Sequence, residues 1–113
     1  MKTLLTLLTC LFFYLPGVML SETIDELVKR DGLYYKKNSG IPFSGEVTGQ
    51  YQGRYENGKA EGSWIFYYPN GQLYSKGNYK NALQDGPWIT YKIDGSIDPE
   101  ETGIYLNGQK VSD

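Results

Sequence analysis

Histidine is absent from the 113 residues. That removes the commonest general base, the commonest metal ligand and any serine–histidine or cysteine–histidine nucleophile. Cysteine occurs once, at Cys10, in an apolar leading stretch. A single thiol closes no disulfide within the chain, and beyond Cys10 there is no thiolate for catalysis or zinc. An excess of charge is missing too: 11 basic residues stand against 13 acidic ones. That balance draws neither nucleic acid nor an anionic membrane by bulk charge. Leucine and isoleucine are outnumbered by aromatics after residue 21, so an aliphatic core is not what this composition builds.

The leading stretch has an order of its own. Met1-Lys2 is a short positive start, Leu4 to Leu20 is uncharged and almost wholly apolar, and Ser21 precedes the first acid, Glu22. This is the layout of a secretory signal peptide, with Pro16-Gly17 breaking its helix near the end. Residues 1–21 are therefore expected to be a signal helix that is removed, and the protein to be exported, periplasmic or extracellular. A second reading stays open. Met19 sits three back from the cut, where a small residue is usual. The run of 17 residues is also at the short edge of what spans a bilayer. Retained, it would be a membrane anchor. Thr9 precedes Cys10 where a lipoprotein signal needs a smaller residue. Removal leaves residues 22–113 with 10 basic and 13 acidic residues.

What those residues do contain is glycine and tyrosine, and they recur at a fixed step. Gly53-Arg54-Tyr55-Glu56-Asn57-Gly58 leads to Glu61-Gly62-Ser63-Trp64. Twenty-four residues on, Gly77-Asn78-Tyr79-Lys80-Asn81-Ala82 leads to Asp85-Gly86-Pro87-Trp88. Tyr67 maps to Tyr91 and Gly71 to Gly95. A third copy starts at Gly103-Ile104-Tyr105-Leu106-Asn107-Gly108, two residues late, and stops before a third tryptophan. The domain expected is a lead-in over 22–52, repeats over 53–76 and 77–102, and a partial repeat over 103–113. A repeat at this spacing implies stacked supersecondary units.

Each repeat reads as a β-hairpin. Trp64, Phe66 and Tyr68 share a face by alternation. Tyr68-Pro69-Asn70-Gly71 suits a type I turn with a glycine bulge, and a return strand runs from about Leu73 to Tyr79, with Gly77 where a side chain would crowd something. Asn57-Gly58 turns the chain again, and Ala82 in the equivalent place predicts a different turn because alanine resists positive φ. Ile97-Asp98-Pro99-Glu100-Glu101 is a poor strand, so it is an edge, a bulge or a loop. In the lead-in, Thr23-x-x-Glu26 could open a short helix. A hairpin over Leu27 to Lys37, turning at Asp31-Gly32, is the favoured rival, followed by a strand near Glu46-Val47-Thr48. The fold class expected is all-β: tandem hairpins in an elongated, twisted, mostly antiparallel sheet.

Carboxylates are the remaining candidates for chemistry. Asp94, Asp98, Glu100 and Glu101 cluster without calcium-loop spacing, and read as a solvated loop. Glu46, Glu56 or Glu61 could pair with Asp85 for sugar hydrolysis, but Glu61 and Asp85 are repeat-equivalent residues beside turn glycines. Gly53-x-x-x-x-Gly58-Lys59 has phosphate-loop spacing, yet Ala60 stands where a hydroxyl is required. No catalytic residue, cofactor or metal is expected. Gly53, Tyr55, Gly62, Trp64, Gly77, Tyr79, Gly86 and Trp88 are expected to be structural repeat positions, with the tryptophans and Phe66 as core. The tyrosines of the other face, Tyr67, Tyr74 and Tyr91, are the expected partner-binding residues. Stacking on an envelope glycan is a lesser reading of the same aromatics.

The pattern Gly-x-Tyr-x-Asn-Gly, acid-Gly-x-Trp, Tyr, Asn-Gly resembles the bacterial variant of the MORN repeat, a family often described as YwqK-type antitoxin components of toxin–antitoxin systems. Leu27-Val28-Lys29-Arg30-Asp31-Gly32-Leu33-Tyr34-Tyr35 and Pro42-Phe43-Ser44-Gly45-Glu46-Val47 are similar to the lead-in of such proteins. The resemblance spans about Leu27 to Gly108. It implies stacked hairpins, no cofactor and no catalytic residues. With an export signal, it implies a toxin-like protein partner met in the envelope, as an immunity protein meets its target. The expected function is thus a non-enzymatic, antitoxin-like or immunity-like protein-binding module. The alternative is a membrane- or wall-associated scaffold.

Overall fold

The computed structural model describes residues 21–113, so the expected signal helix lies outside the described residues except for Ser21. Ten strands follow in chain order: β1 (Ser21–Thr23), β2 (Leu27–Arg30), β3 (Leu33–Lys36), β4 (Gly45–Thr48), β5 (Tyr51–Glu56), β6 (Lys59–Tyr67), β7 (Leu73–Lys80), β8 (Leu83–Thr90), β9 (Gly103–Leu106) and β10 (Gln109–Ser112). Eight form one sheet in the order β1-β4-β5-β6-β7-β8-β9-β10, and β2-β3 is a separate hairpin. Every pairing is antiparallel except β1 with β4. From β4 onward, sequence neighbours are sheet neighbours, giving an elongated body of 62 × 30 × 23 Å.

The lead-in forms the favoured hairpin. Asp31 and Gly32, at φ 51° and 81°, make its two-residue turn. The rival helix is reduced to one 3-10 turn over Ile24–Glu26, and Thr23 makes no side-chain cap. Its hydroxyl bonds Asp25 instead, which holds that carboxyl below the usual range.

The hairpin ends of the repeats match their sequence. Tyr68 N–H donates to Gln72 O (2.8 Å), and Gly71 N–H to Tyr68 O (2.9 Å). The same two bonds recur at Lys92–Ser96 and Gly95–Lys92 (2.7 and 2.9 Å). Residues 91–102 form a loop with one bridge, Tyr91 to Ile97, as the proline and charges there require.

The expected difference at Ala82 is overturned. Asn81 and Ala82 take φ 51° and 66°, the left-handed pair also seen at Asn57-Gly58 and Asn107-Gly108. Tertiary bonds impose it: Asn81 N–H donates to Glu61 Oε2 and Ala82 N–H to Ala60 O, both at 2.9 Å. Gly58 and Gly108 make the corresponding bonds to Phe43 O and Gln84 O (2.8 and 3.0 Å). Ala82 thus carries the left-handed cost that its glycine counterparts escape. Ala82→Gly is expected to stabilise the fold by about 1 kcal/mol, read from the midpoint of urea unfolding.

The core lies on one sheet face, under the β2–β3 hairpin. Leu27, Phe43, Val47, Tyr55 and Trp64 are its buried members. Tyr34 N–H to Gly58 O and Phe43 N–H to Tyr34 O, both 2.9 Å, tie the hairpin to the sheet. Val47 is the most buried large side chain, at 1% exposure. Register explains why. Gly45-Glu46-Val47 pairs with Tyr55-Arg54-Gly53 as Gly62-Ser63-Trp64 pairs with Tyr79-Asn78-Gly77 and Gly86-Pro87-Trp88 with Tyr105-Ile104-Gly103. Val47 therefore stands where later repeats place tryptophan.

Candidate functional site

The repeat glycines and tryptophans interlock. Three residues, Gly62-Ser63-Trp64, oppose the single Gly53, and Gly86-Pro87-Trp88 oppose Gly77. Gly62 and Gly86 turn these bulges at φ 75° and 81°. The indole then lies flat on the opposing glycine. A Cβ at Gly53 would sit 2.2 Å from Trp64 Cδ2, and one at Gly77 would sit 2.2 Å from Trp88 Cδ2. The tryptophans are 2% and 4% exposed, so the expected core role holds for both.

From that interlock an aromatic row runs along the face. Tyr55 meets Trp64 edge-on at 5.1 Å, and Tyr79 meets Trp88 at 5.0 Å. Phe66 stacks between the indoles, 5.7 Å from Trp64 and 6.2 Å from Trp88. Phe43 and Tyr34 extend the row at one end and Tyr105 at the other. Trp88 Nε1 donates to Asn78 O at 3.0 Å, whereas Trp64 Nε1 is buried without a partner among the described residues. Burial, followed by the neighbouring Tyr34, raises the Tyr55 and Tyr79 hydroxyls above the ordinary tyrosine range.

The row is half covered, which leaves a groove. Beside the β2–β3 hairpin is a cavity of about 300 Å³, lined by Tyr34, Tyr51, Tyr55, Trp64, Phe66 and Tyr79 among others. Beside the 91–102 loop is a second, of about 230 Å³, with Tyr51, Phe66, Tyr74, Tyr79, Trp88 and Glu101 on its walls. Tyr51, Phe66 and Tyr79 belong to both, so the two are halves of one groove.

The expected partner-binding tyrosines do not converge. A register shift between Phe66 and Tyr67 leaves Tyr74 as an extra residue on β7. Tyr74 therefore lines the tryptophan-side groove, with its ring 4.8 Å from Tyr68, and not the opposite face on which it was expected. Tyr67 pairs with Leu73, which shares a shallow cavity with Tyr91, Gln72 and Gly95. The groove residues Tyr51 and Gln84 were not anticipated. They sit opposite Phe66 and Tyr79 respectively, positions readable only once the register is known.

Asp94, Asp98 and Glu61 serve turns and loops. Asp94 Oδ1 accepts from Ser96 N–H and Oγ–H, which keeps its pKa low, and Asp98 Oδ1 accepts from Glu100 N–H. Glu61 holds Asn81, and Glu56 pairs with Arg54 at 2.9 Å. Among the described residues no three histidine, cysteine or carboxylate groups gather as a metal site.

One comparison with known proteins carries a name. Residues 60–81 match the MORN repeat variant. The match covers one unit, from Ala60 on β6 through the Pro69–Gly71 turn to Asn81 after β7. No curated protein and no solved structure matches the chain. The MORN-type unit is thus the piece that carries Trp64, Phe66, Tyr74 and Tyr79, the centre of the groove.

Proposed function

We propose that the protein is a non-enzymatic binding module of the cell envelope, and that an extended segment of a partner protein lies in the aromatic groove. The observation that carries this reading is the pair of cavities sharing Tyr51, Phe66 and Tyr79. Partly buried aromatic rings on a rigid sheet give contact area at little entropic cost, which is why such residues dominate binding energy. The envelope setting rests on the composition of residues 1–21. A toxin-like partner, as for an immunity protein, rests on the resemblance to antitoxin-type MORN variants.

A photo-crosslinking phenylalanine at Tyr51, in the groove, tests it against the same residue at Ile93, an exposed loop position outside both cavities. In envelope extract, one stoichiometric protein is expected to crosslink from position 51 and not from 93. Equal yields from both positions, or none from 51, overturn the reading. Retention on membrane or wall material with no protein adduct moves the function to the scaffold alternative.

A further inference from the structure

The two halves of the groove differ in charge. At the hairpin end the chain supplies its own cation: Lys29 lines that cavity and places Nζ 5.9 Å from the Tyr34 ring centre. Its neighbour Arg30 lies over Tyr35 at 4.1 Å. At the loop end the walls are Tyr51, Phe66, Tyr74, Tyr79 and Trp88 with Ser75, Thr90, Gln84 and Glu101, and no basic residue. Glu101 makes no ion pair among the described residues.

Glu101 is held at this mouth by a pinned loop. Thr102 Oγ1 accepts from Thr90 N–H at 2.9 Å and donates to Thr90 O at 3.1 Å. Thr102 N–H donates to Asp98 O (3.0 Å), and Asp98 N–H to Thr90 O (2.8 Å). Tyr105 Oη–H donates to Glu101 O (2.8 Å), and Lys110 Nζ to Pro99 O (2.7 Å). Burial first, then the Glu101 carboxylate, raises the Tyr74 hydroxyl above the ordinary tyrosine range, with Tyr68 and Asp98 acting in the same direction. Aromatic faces carry negative quadrupoles, so the four partly buried rings, Tyr51, Phe66, Tyr74 and Tyr79, with a carboxylate that makes no ion pair among the described residues, favour a cation over an anion.

We propose that the loop end of the groove is a cation cage that receives a lysine or arginine side chain of the bound partner segment. This rests on the groove being the binding surface and adds the chemistry of what enters it. The cavity of about 230 Å³ admits one such side chain with its methylene stem against Phe66 and its charge toward Glu101. The hairpin end is already served by Lys29, so the partner's cation is specified at one end only and the segment has a direction in the groove.

The test is a titration of the isotope-labelled protein with Nα-acetyl-lysine-N-methylamide, followed by amide and indole resonances. The uncharged norleucine analogue is the control probe. The Trp88 indole N–H, fixed on Asn78 O, and the Thr90 amide are expected to shift saturably with the lysine probe and not with norleucine. Glu101→Gln, an exposed change, is expected to weaken binding about fivefold, the scale of one exposed charge pair. Equal affinity for both probes, no saturation, or unchanged affinity in Glu101→Gln overturns the cage. Crosslinking from position 51 that survives such a result keeps the groove as the binding surface, while loss of both removes the two readings together.

Discussion

Trp64→Ala is expected to cost about 3–5 kcal/mol, the range for deleting a fully buried large aromatic. Trp64 is 2% exposed and touches Tyr55, Phe66 and Tyr79 by its ring alone. Each such aromatic pair adds about 0.5–1.5 kcal/mol to simple burial. The site also collapses poorly, because the residue beneath the indole is Gly53, which has no side chain to move into the space. One term works the other way: the mutation removes a buried indole N–H that has no acceptor among the described residues, recovering part of the cost. Urea unfolding checks the value. A loss under about 1 kcal/mol would mean that the indole is not core.

Gly77→Ala is the complementary insult. The added methyl would fall 2.2 Å from Trp88 Cδ2 and 2.4 Å from Cε2. That distance demands displacement of a ring held by Tyr79, Phe66, Tyr105 and a hydrogen bond to Asn78 O. Overpacking of this kind costs about 1–3 kcal/mol, and a rigid bicyclic neighbour puts the expectation at the upper end. The decisive measurement is a double-mutant cycle with Trp88→Ala. With the indole gone, the three atoms nearest to a methyl at 77 are removed, so the two losses are expected to fall short of additivity by at least about 1 kcal/mol. Strict additivity would refute the interlock.

The sequence made the interlock readable in outline because glycine and tryptophan recur together at one step. Gly77 declared itself as a place of crowding, and the Pro69-Asn70-Gly71 and Asp31-Gly32 turns declared their geometry. What escaped were consequences of pairing between distant residues. Val47 shares no letter with tryptophan and stands 17 residues before Trp64, so only the register with Gly53 reveals its equivalence. Tyr74 changes face because a bulge inserts one residue, and simple alternation cannot count an insertion. Ala82 adopts a turn that its own propensity opposes because Ala60 and Glu61 hold its amide and that of Asn81. The groove needed the β2–β3 hairpin in place before Tyr51 could be seen as a wall.

The register also makes length an independent variable. Because each unit sets its tryptophan on the glycine of the unit before it, Trp64 on Gly53 and Trp88 on Gly77, a copy of residues 59–82 spliced in after residue 82 would remake the same kind of contact at both of its ends. Strands lie about 4.8 Å apart, so each copy would lengthen the body by about 10 Å and repeat Trp64, Phe66, Tyr74 and Tyr79 along the groove face. The protein is in that sense a ruler whose graduations are hairpins, and duplication of a single unit resets the span it can measure.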